Sequence, residues 1–258
     1  MQAAFPTGNE RAFALFRGLP GARSMVEAAR HGMGRAWADS PAYPRAAVVA
    51  VGDFLYCGGQ PGPSAAHLLR VAVNSEKRGW LVYAPGEWKN ALDRVAPSRP
   101  VTRYAFDHDV QPEDDHLRRL LTAVPESVTF QRVTGEWITR CRQEDWSRDF
   151  VSLFTDEQFE RNGLGVLILL NGEPVAGASS YVAYPGGIEV QVETRGAYQG
   201  RGFATMAAAK LILMAHEQGR IATWDAANGV SKHLAEMLGY RFTDEYTVYE
   251  VNRENRNL

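Results

Sequence analysis

The chain has 258 residues, 45% of them hydrophobic, with a formal net charge of −2. That length holds one large domain or two smaller ones with real cores, and the near-neutral balance argues against general attraction to nucleic acid or to an anionic membrane. Two cysteines, Cys57 and Cys141, outside any CxxC pair, argue against a disulfide framework or a structural zinc site and favour a reduced, cytoplasmic setting.

In chain order, short helices are expected over residues 10–16 and 24–32, then a strand over 46–51 that turns at Gly52-Asp53 into a hairpin partner, 54–56. The glycine-rich Cys57–Gly62 lacks the GK[ST] ending of a nucleotide loop and reads as a connection between strand and helix. A helix over 65–74, a strand over 80–83, a helix over 87–95 and a strand over 101–106 follow. Residues 107–116 carry His108, His116, Pro112 and five carboxylates. They offer metal-ligand chemistry, but a solvated linker or helix N-terminus is the simpler reading, and no metal is expected. A boundary here gives an accessory α/β domain over 1–120 and a second domain over 126–258.

The second part opens with a strand over 128–133 and two short helices, 135–141 and 155–161. Strands over 164–170 and 174–184 flank Asn171-Gly172, a tight-hairpin signal. The longest apolar run, Val166 to Leu170, is too short to span a bilayer, and the first residues lack the apolar core of a signal peptide. A strand over 188–194, a helix over 203–218 that is apolar almost all round and a strand over 221–224 form a crossover unit with parallel strands. Asn228 is placed to cap a helix over 229–238, with Val230, Leu234 and Leu238 on one face and Gly239 closing it. One or two strands over 242–251 end a mixed α/β chain in which no internal repeat is evident.

The chemistry concentrates in Ile188–Ala204. Ile188, Val190, Val192 and Thr194 alternate with Glu189, Gln191 and Glu193, the period of a strand. Gln199-Gly200-Arg201-Gly202 then leads into Phe203 and Ala204. The first N–H groups of a helix lack intrahelical partners and sit at the positive end of its dipole, and glycines let a phosphate approach them. Ligands of such crossovers bind beyond the carboxyl ends of the strands.

Tyr198-Gln-Gly-Arg-Gly-Phe-Ala204, with Asn228 and, eleven residues on, Gly239-Tyr240, resembles the pyrophosphate loop and the Asn…Gly-Phe ending of the GNAT superfamily of N-acetyltransferases, in a two-domain bacterial subgroup. The likeness covers roughly residues 128–251. It implies a splayed sheet flanked by helices and an acetyl-CoA (CoA) site. Backbone groups from Val190 through Val192 and Glu193 to Thr194 would pair with the pantetheine arm. The N–H groups of Gln199, Gly200, Arg201, Gly202, Phe203 and Ala204 would hold the diphosphate, with Asn228 and Ser231 on the other side. It also implies a small-molecule amine as acceptor, an accessory domain closing one side of the acceptor pocket, no nucleic-acid or membrane partner, and allows a homodimer.

Acyl transfer needs a base for the amine, a donor for the oxyanion and a proton for the thiolate. Glu189 and Glu193 are the candidate bases; the plainer reading leaves both on a wet edge or pairs them with Arg195 or Arg201. A strand N–H near Val192 is the candidate oxyanion donor. The tyrosine common in the family seven residues after the asparagine is Ala235 here. Ser231 is the candidate substitute, against a plain capping role, with Tyr240, Tyr246 and Tyr249 as later candidates. Lys232 is weighed as a phosphate ligand, Cys141 as an inert buried thiol, and His216 as a partner of the helix C-terminus. The alternative function is an acyl-CoA-binding sensor with little turnover.

Overall fold

In the computed structural model, which describes residues 9–76, 79–122 and 124–252, two compact units form. One holds the described residues of Met1–Arg103 and Asp244–Leu258, the other Tyr104–Thr243. No helix among the described residues is long and apolar enough to cross a membrane.

In the first unit, α1 (Glu10–Phe13), a 3-10 turn (Ala14–Phe16) and α2 (Arg23–Arg30) precede β1 (Arg35–Ala38), β2 (Ala46–Val51) and β3 (Phe54–Gly59). β2 consists only of valine and alanine and is buried at all six positions, since α1 and α2 as well as α3 (Ala65–Val73) pack on it. The three strands form an antiparallel meander, and β4 (Trp80–Tyr83) returns parallel to β3 after the α3 crossover. α4 (Glu87–Asp93) and β5 (Arg99–Phe106) follow, and Tyr249–Val251 pairs antiparallel with β4. Leu68, Leu69, Val82, Trp88 and Leu92 close the core between α3, α4 and the sheet. β1 was not expected: Arg-Ala-Trp-Ala shows neither alternation nor β-branched residues. Cys57–Gly59, expected as a connection, is the end of β3.

In the second unit, α5 (Asp114–Leu120), β6 (Val128–Arg132), α6 (Glu136–Gln143) and α7 (Asp156–Asn162) lead to β7 (Gly165–Leu170), β8 (Glu173–Tyr184) and β9 (Gly187–Thr194). Thr155 and Gln158 cap α7 reciprocally. Asn171 and Gly172, at φ +51° and +86°, make the expected tight hairpin. α8 (Phe203–His216) crosses over the sheet to β10 (Ile221–Thr223), which runs parallel to β9, in the order β10-β9-β8-β7-β6. β11 (Asp225–Ala226), α9 (Gly229–Leu238) and β12 (Phe242–Val251) complete the chain.

Two expectations change here. The strand after α8 ends at Thr223, because residues 225–226 pair with Ala105 and Tyr104 of β5 instead. Val230 is 82% exposed, whereas Ala235 and Leu238 are the buried positions of α9. At 3.6 residues per turn Val230 lies about 110° from the centre of that buried stripe, and half-buried Leu234 lies between.

The Tyr240 hydroxyl, buried, donates to the Ala222 carbonyl at 2.7 Å and so ties β10 to the segment before β12. Tyr240→Phe leaves that carbonyl unsatisfied and should cost about 1–2 kcal/mol in urea unfolding; an unchanged midpoint would mean the tie contributes nothing.

Candidate active site

The site is built on a parting of strands. β9 and β10 pair over only three residues, Gly187–Ile221, Ile188–Ala222 and Glu189–Thr223, before the chain leaves for β5. β9 continues to Thr194 with β8 alone. Arg195 N–H bonds the Val175 carbonyl at 2.9 Å, so that pair is hydrogen-bonded, and antiparallel ladders alternate. Thr194, Val192 and Val190 therefore turn their backbone N–H and C=O groups away from β8, toward the side β10 has left. Side chains finish what remains of β10: Gln111 Oε1 accepts from Ala222 N–H at 2.9 Å, and Tyr240 bonds the same residue's carbonyl.

At the same carboxyl edge α8 begins. Its N-cap is Gly202, which has no side chain to offer, and the first bond back into the helix is Met206 N–H to Gly202 O at 3.1 Å. The N–H groups of Phe203, Ala204 and Thr205 come before it. A Cβ at Gly200 would meet nothing within 4 Å, and one at Gly202 only Met206 Cε at 3.9 Å. Open space thus lies against a set of donors at the positive end of a 14-residue helix, with the exposed Arg201 guanidinium beside it over the Tyr198 and Phe203 rings. This arrangement fits a diphosphate.

The carboxylates of β9 occupy contrasting surroundings. Glu189, 6% exposed, accepts from Thr223 Oγ1 at 2.5 Å, and the same hydroxyl lies 2.9 Å from the Ile188 carbonyl. Glu193 is exposed, its Oε1 near the Thr194 N–H at 3.3 Å. Both share a face with Gln191. Opposite Glu193 stands Gly177, whose Cβ would meet the Phe150 ring at 2.7 Å, so the 3-10 turn Arg148–Phe150 covers this face. Arg195 bonds Glu144 at 2.8 Å and lies over Trp146, Arg201 lies over aromatic rings, and Glu193 is on the wet edge of the strand. Burial pushes the Glu144 carboxyl up, but bonds from Trp146 and Arg140 and the Arg195 charge outweigh it and hold the group below the ordinary range.

Asn228 caps α9 as expected, accepting from Ser231 N–H at 2.9 Å. The Ser231 hydroxyl accepts from Trp224 Nε1 at 3.2 Å, which leaves its own proton to give. Ala235, in the place of the family tyrosine, is fully buried. Burial, and secondarily the Glu189 charge, pushes the Tyr240 phenol well above its ordinary value, so it stays a neutral donor to Ala222. Lys232 does not reach toward the helix start: its ammonium sits 3.7 Å from the Phe242 ring centroid. Cys141 is buried, its thiol pushed up to about 11 by burial first. His216 Nδ1 meets Asp114 at 2.7 Å, which joins α5 to α8. Thr223 and Gln111 were not anticipated, since a threonine in a strand and a glutamine beside Pro112 carry no local signal.

A family model described as GNAT acetyltransferase matches residues 14–249. The chain is similar to a GCN5-related N-acetyltransferase-like protein from Streptococcus suis, at 33% identity and a TM-score of 0.83, over 95% of this chain and 100% of that one. It shares its fold with a GCN5-related N-acetyltransferase from Kribbella flavida, at 19% identity and a TM-score of 0.53, over 81% and 86% of the two chains. It is 25% identical over 232 residues to an uncharacterized N-acetyltransferase, YdfB, of Bacillus subtilis, covering 84% of this chain and 85% of the relative.

The Asp114 carboxyl is held below its ordinary value chiefly by the hydrogen bond from His216. A depressed carboxylate stabilises the fold above its unfolded pKa of about 3.9 and loses that contribution as pH falls through the lower folded value. Between pH 5 and pH 2, on the order of the carboxylate range, Asp114→Asn should flatten the fall in thermal midpoint; parallel curves would contradict the pairing.

Proposed function

The chain belongs to the GNAT acetyltransferase family, and from that premise we propose that it transfers the acetyl group of acetyl-CoA directly to the amine of a small molecule. The family generally uses acetyl-CoA, whose thioester supplies an activated acetyl group. The observation that carries the reading is the open wedge beside β9 with a bare helix start at its mouth. All residues we assign to the chemistry fall within 126–258, with 1–120 as an accessory part.

The N–H groups of Gln199 to Ala204 hold the diphosphate, and the backbone groups of Val190, Val192 and Thr194 line the thioester arm, with Glu193, whose backbone faces β8, between them. Val192 N–H, turned into the wedge, donates to the acyl oxygen as charge develops there. Glu189 takes the proton of the attacking amine; its burial and the Thr223 hydrogen bond fix its position. Exposed Glu193 is the second carboxylate of that face and attracts a cationic amine toward it. Ser231, with Asn228 fixing its turn of α9, hydrogen-bonds the departing sulfur and relays to it a proton taken up from water.

Gly202→Val should raise the acetyl-CoA KM by about tenfold or more, equivalent to 1.4 kcal/mol of lost binding, with an unchanged circular-dichroism spectrum. Glu189→Gln should lower kcat by about 10²-fold with KM little changed, within the usual range for a general base. Turnover retained in both would overturn these assignments. Tight binding without CoA release across a panel of small amines would favour the sensor reading.

A further inference from the structure

The two units repeat one construction. In the second, the meander β7-β8-β9 is followed by a crossover helix, a short strand parallel to β9 and a further helix. In the first, the meander β1-β2-β3 is followed by a crossover helix, a short strand parallel to β3 and a further helix. The likeness extends to the wedge. β3 and β4 pair over three residues, Phe54–Leu81, Leu55–Val82 and Tyr56–Tyr83, then part, as β9 and β10 do. Gln60 N–H bonds the Arg45 carbonyl at 2.9 Å, so by ladder alternation Gly59 and Cys57 turn their backbone groups toward the side β4 has left. Counted from the last paired residue, Cys57 and Gly59 stand where Val190 and Val192 stand in β9.

What occupies the two wedges differs. The second residue of α4 is Trp88, 1% exposed, and its indole N–H donates to the Gly59 carbonyl at 3.1 Å. The second residue of α9 is Val230, 82% exposed. The glycines that end β3 are closed in as well. A Cβ at Gly59 would lie 2.2 Å from the Arg45 carbonyl oxygen, and one at Gly58 would meet Leu15 and Phe16 at 2.9 Å. These glycines admit the chain's own backbone and rings, whereas Gly62, nearer α3, faces open space as Gly200 does. Before α3, Pro61 and Pro63 have no N–H, and the Ala65 N–H is bonded to the Gly62 carbonyl.

We propose that the first unit is a second copy of the acyl-carrier fold whose wedge is closed from within by the Trp88 indole, so that the chain holds one CoA and only in the second unit. The stoichiometry rests on the acetyl-CoA reading above; the closure does not. Calorimetric titration with CoA should give one site in the unaltered chain, weakened by about tenfold or more in Gly202→Val. Two sites, or a site of undiminished affinity in Gly202→Val, would overturn the proposal. Absence of binding to the unaltered chain would sink the acetyl-CoA reading instead and leave the closure to the second arm.

In that arm, Trp88→Gly empties the wedge. Its thermal midpoint should fall by several degrees and be restored in good part by millimolar indole, as apolar cavities take up apolar guests. The unaltered chain should show no such shift. A midpoint unchanged by the substitution, or no more responsive to indole than the unaltered chain, would overturn the closure. If Trp88→Gly does not fold, Trp88→Phe keeps a ring in the wedge but loses the bond to Gly59: a lowered midpoint and one CoA site support the proposal, an unchanged midpoint or a second site overturns it.

Discussion

The rest of the second unit depends on one constraint, the separation of β9 from β10 beyond Glu189 and Thr223. A sheet normally satisfies every strand's backbone by continuing the ladder. Here β10 stops after three residues because its chain is drawn off to pair with residues 104–105. The loss is confined to the rim: β9 is buried from Gly187 to Val190 and partly or fully exposed from Gln191 onward. Water can therefore serve the free N–H and C=O groups, and a ligand bearing amides can replace it in the manner of an added strand. Gln111 and Tyr240 hold the stub of β10 in place, so the gap is a fixed feature of the fold.

The same parting sets the two carboxylates of β9 apart. Glu189 is the last residue still paired with β10 and is thereby buried against Thr223, whereas Glu193, four residues along the same face, lies beyond the parting and is exposed. Identical side chains on one strand thus differ in solvation and in hydrogen bonding, and the proposed function uses that contrast to separate a proton acceptor from a group that attracts charge. The helix start contributes from the backbone alone, which is why glycines with open space in front of them, at 200 and 202, matter more there than any side chain.

Much of this was legible before the structure. The strands 46–51 and 80–83, the helix 229–238 and the parallel crossover follow from periodicity, turn glycines and Asn228, and the glycine-flanked start of α8 from Gly200 and Gly202. The misses have physical causes. β1 pairs by proximity to β2, with no pattern of its own, and Val230 fits a heptad-like count but lies off a stripe set by small Ala235. Thr223 and Gln111 act through tertiary partners 34 and 111 residues away. The repeated construction was invisible because strand alternation and crossover order can be met by unrelated residues: one wedge is sealed by tryptophan and prolines, the other kept open by glycines and an exposed valine.

A crystal structure with CoA bound tests the central claim most directly. The account predicts the diphosphate on the N–H groups of residues 199–204 and the pantetheine amides on the backbone of Val190 and Val192, between β9 and the stub of β10. CoA seated on any other part of the chain, with that wedge empty, would contradict it.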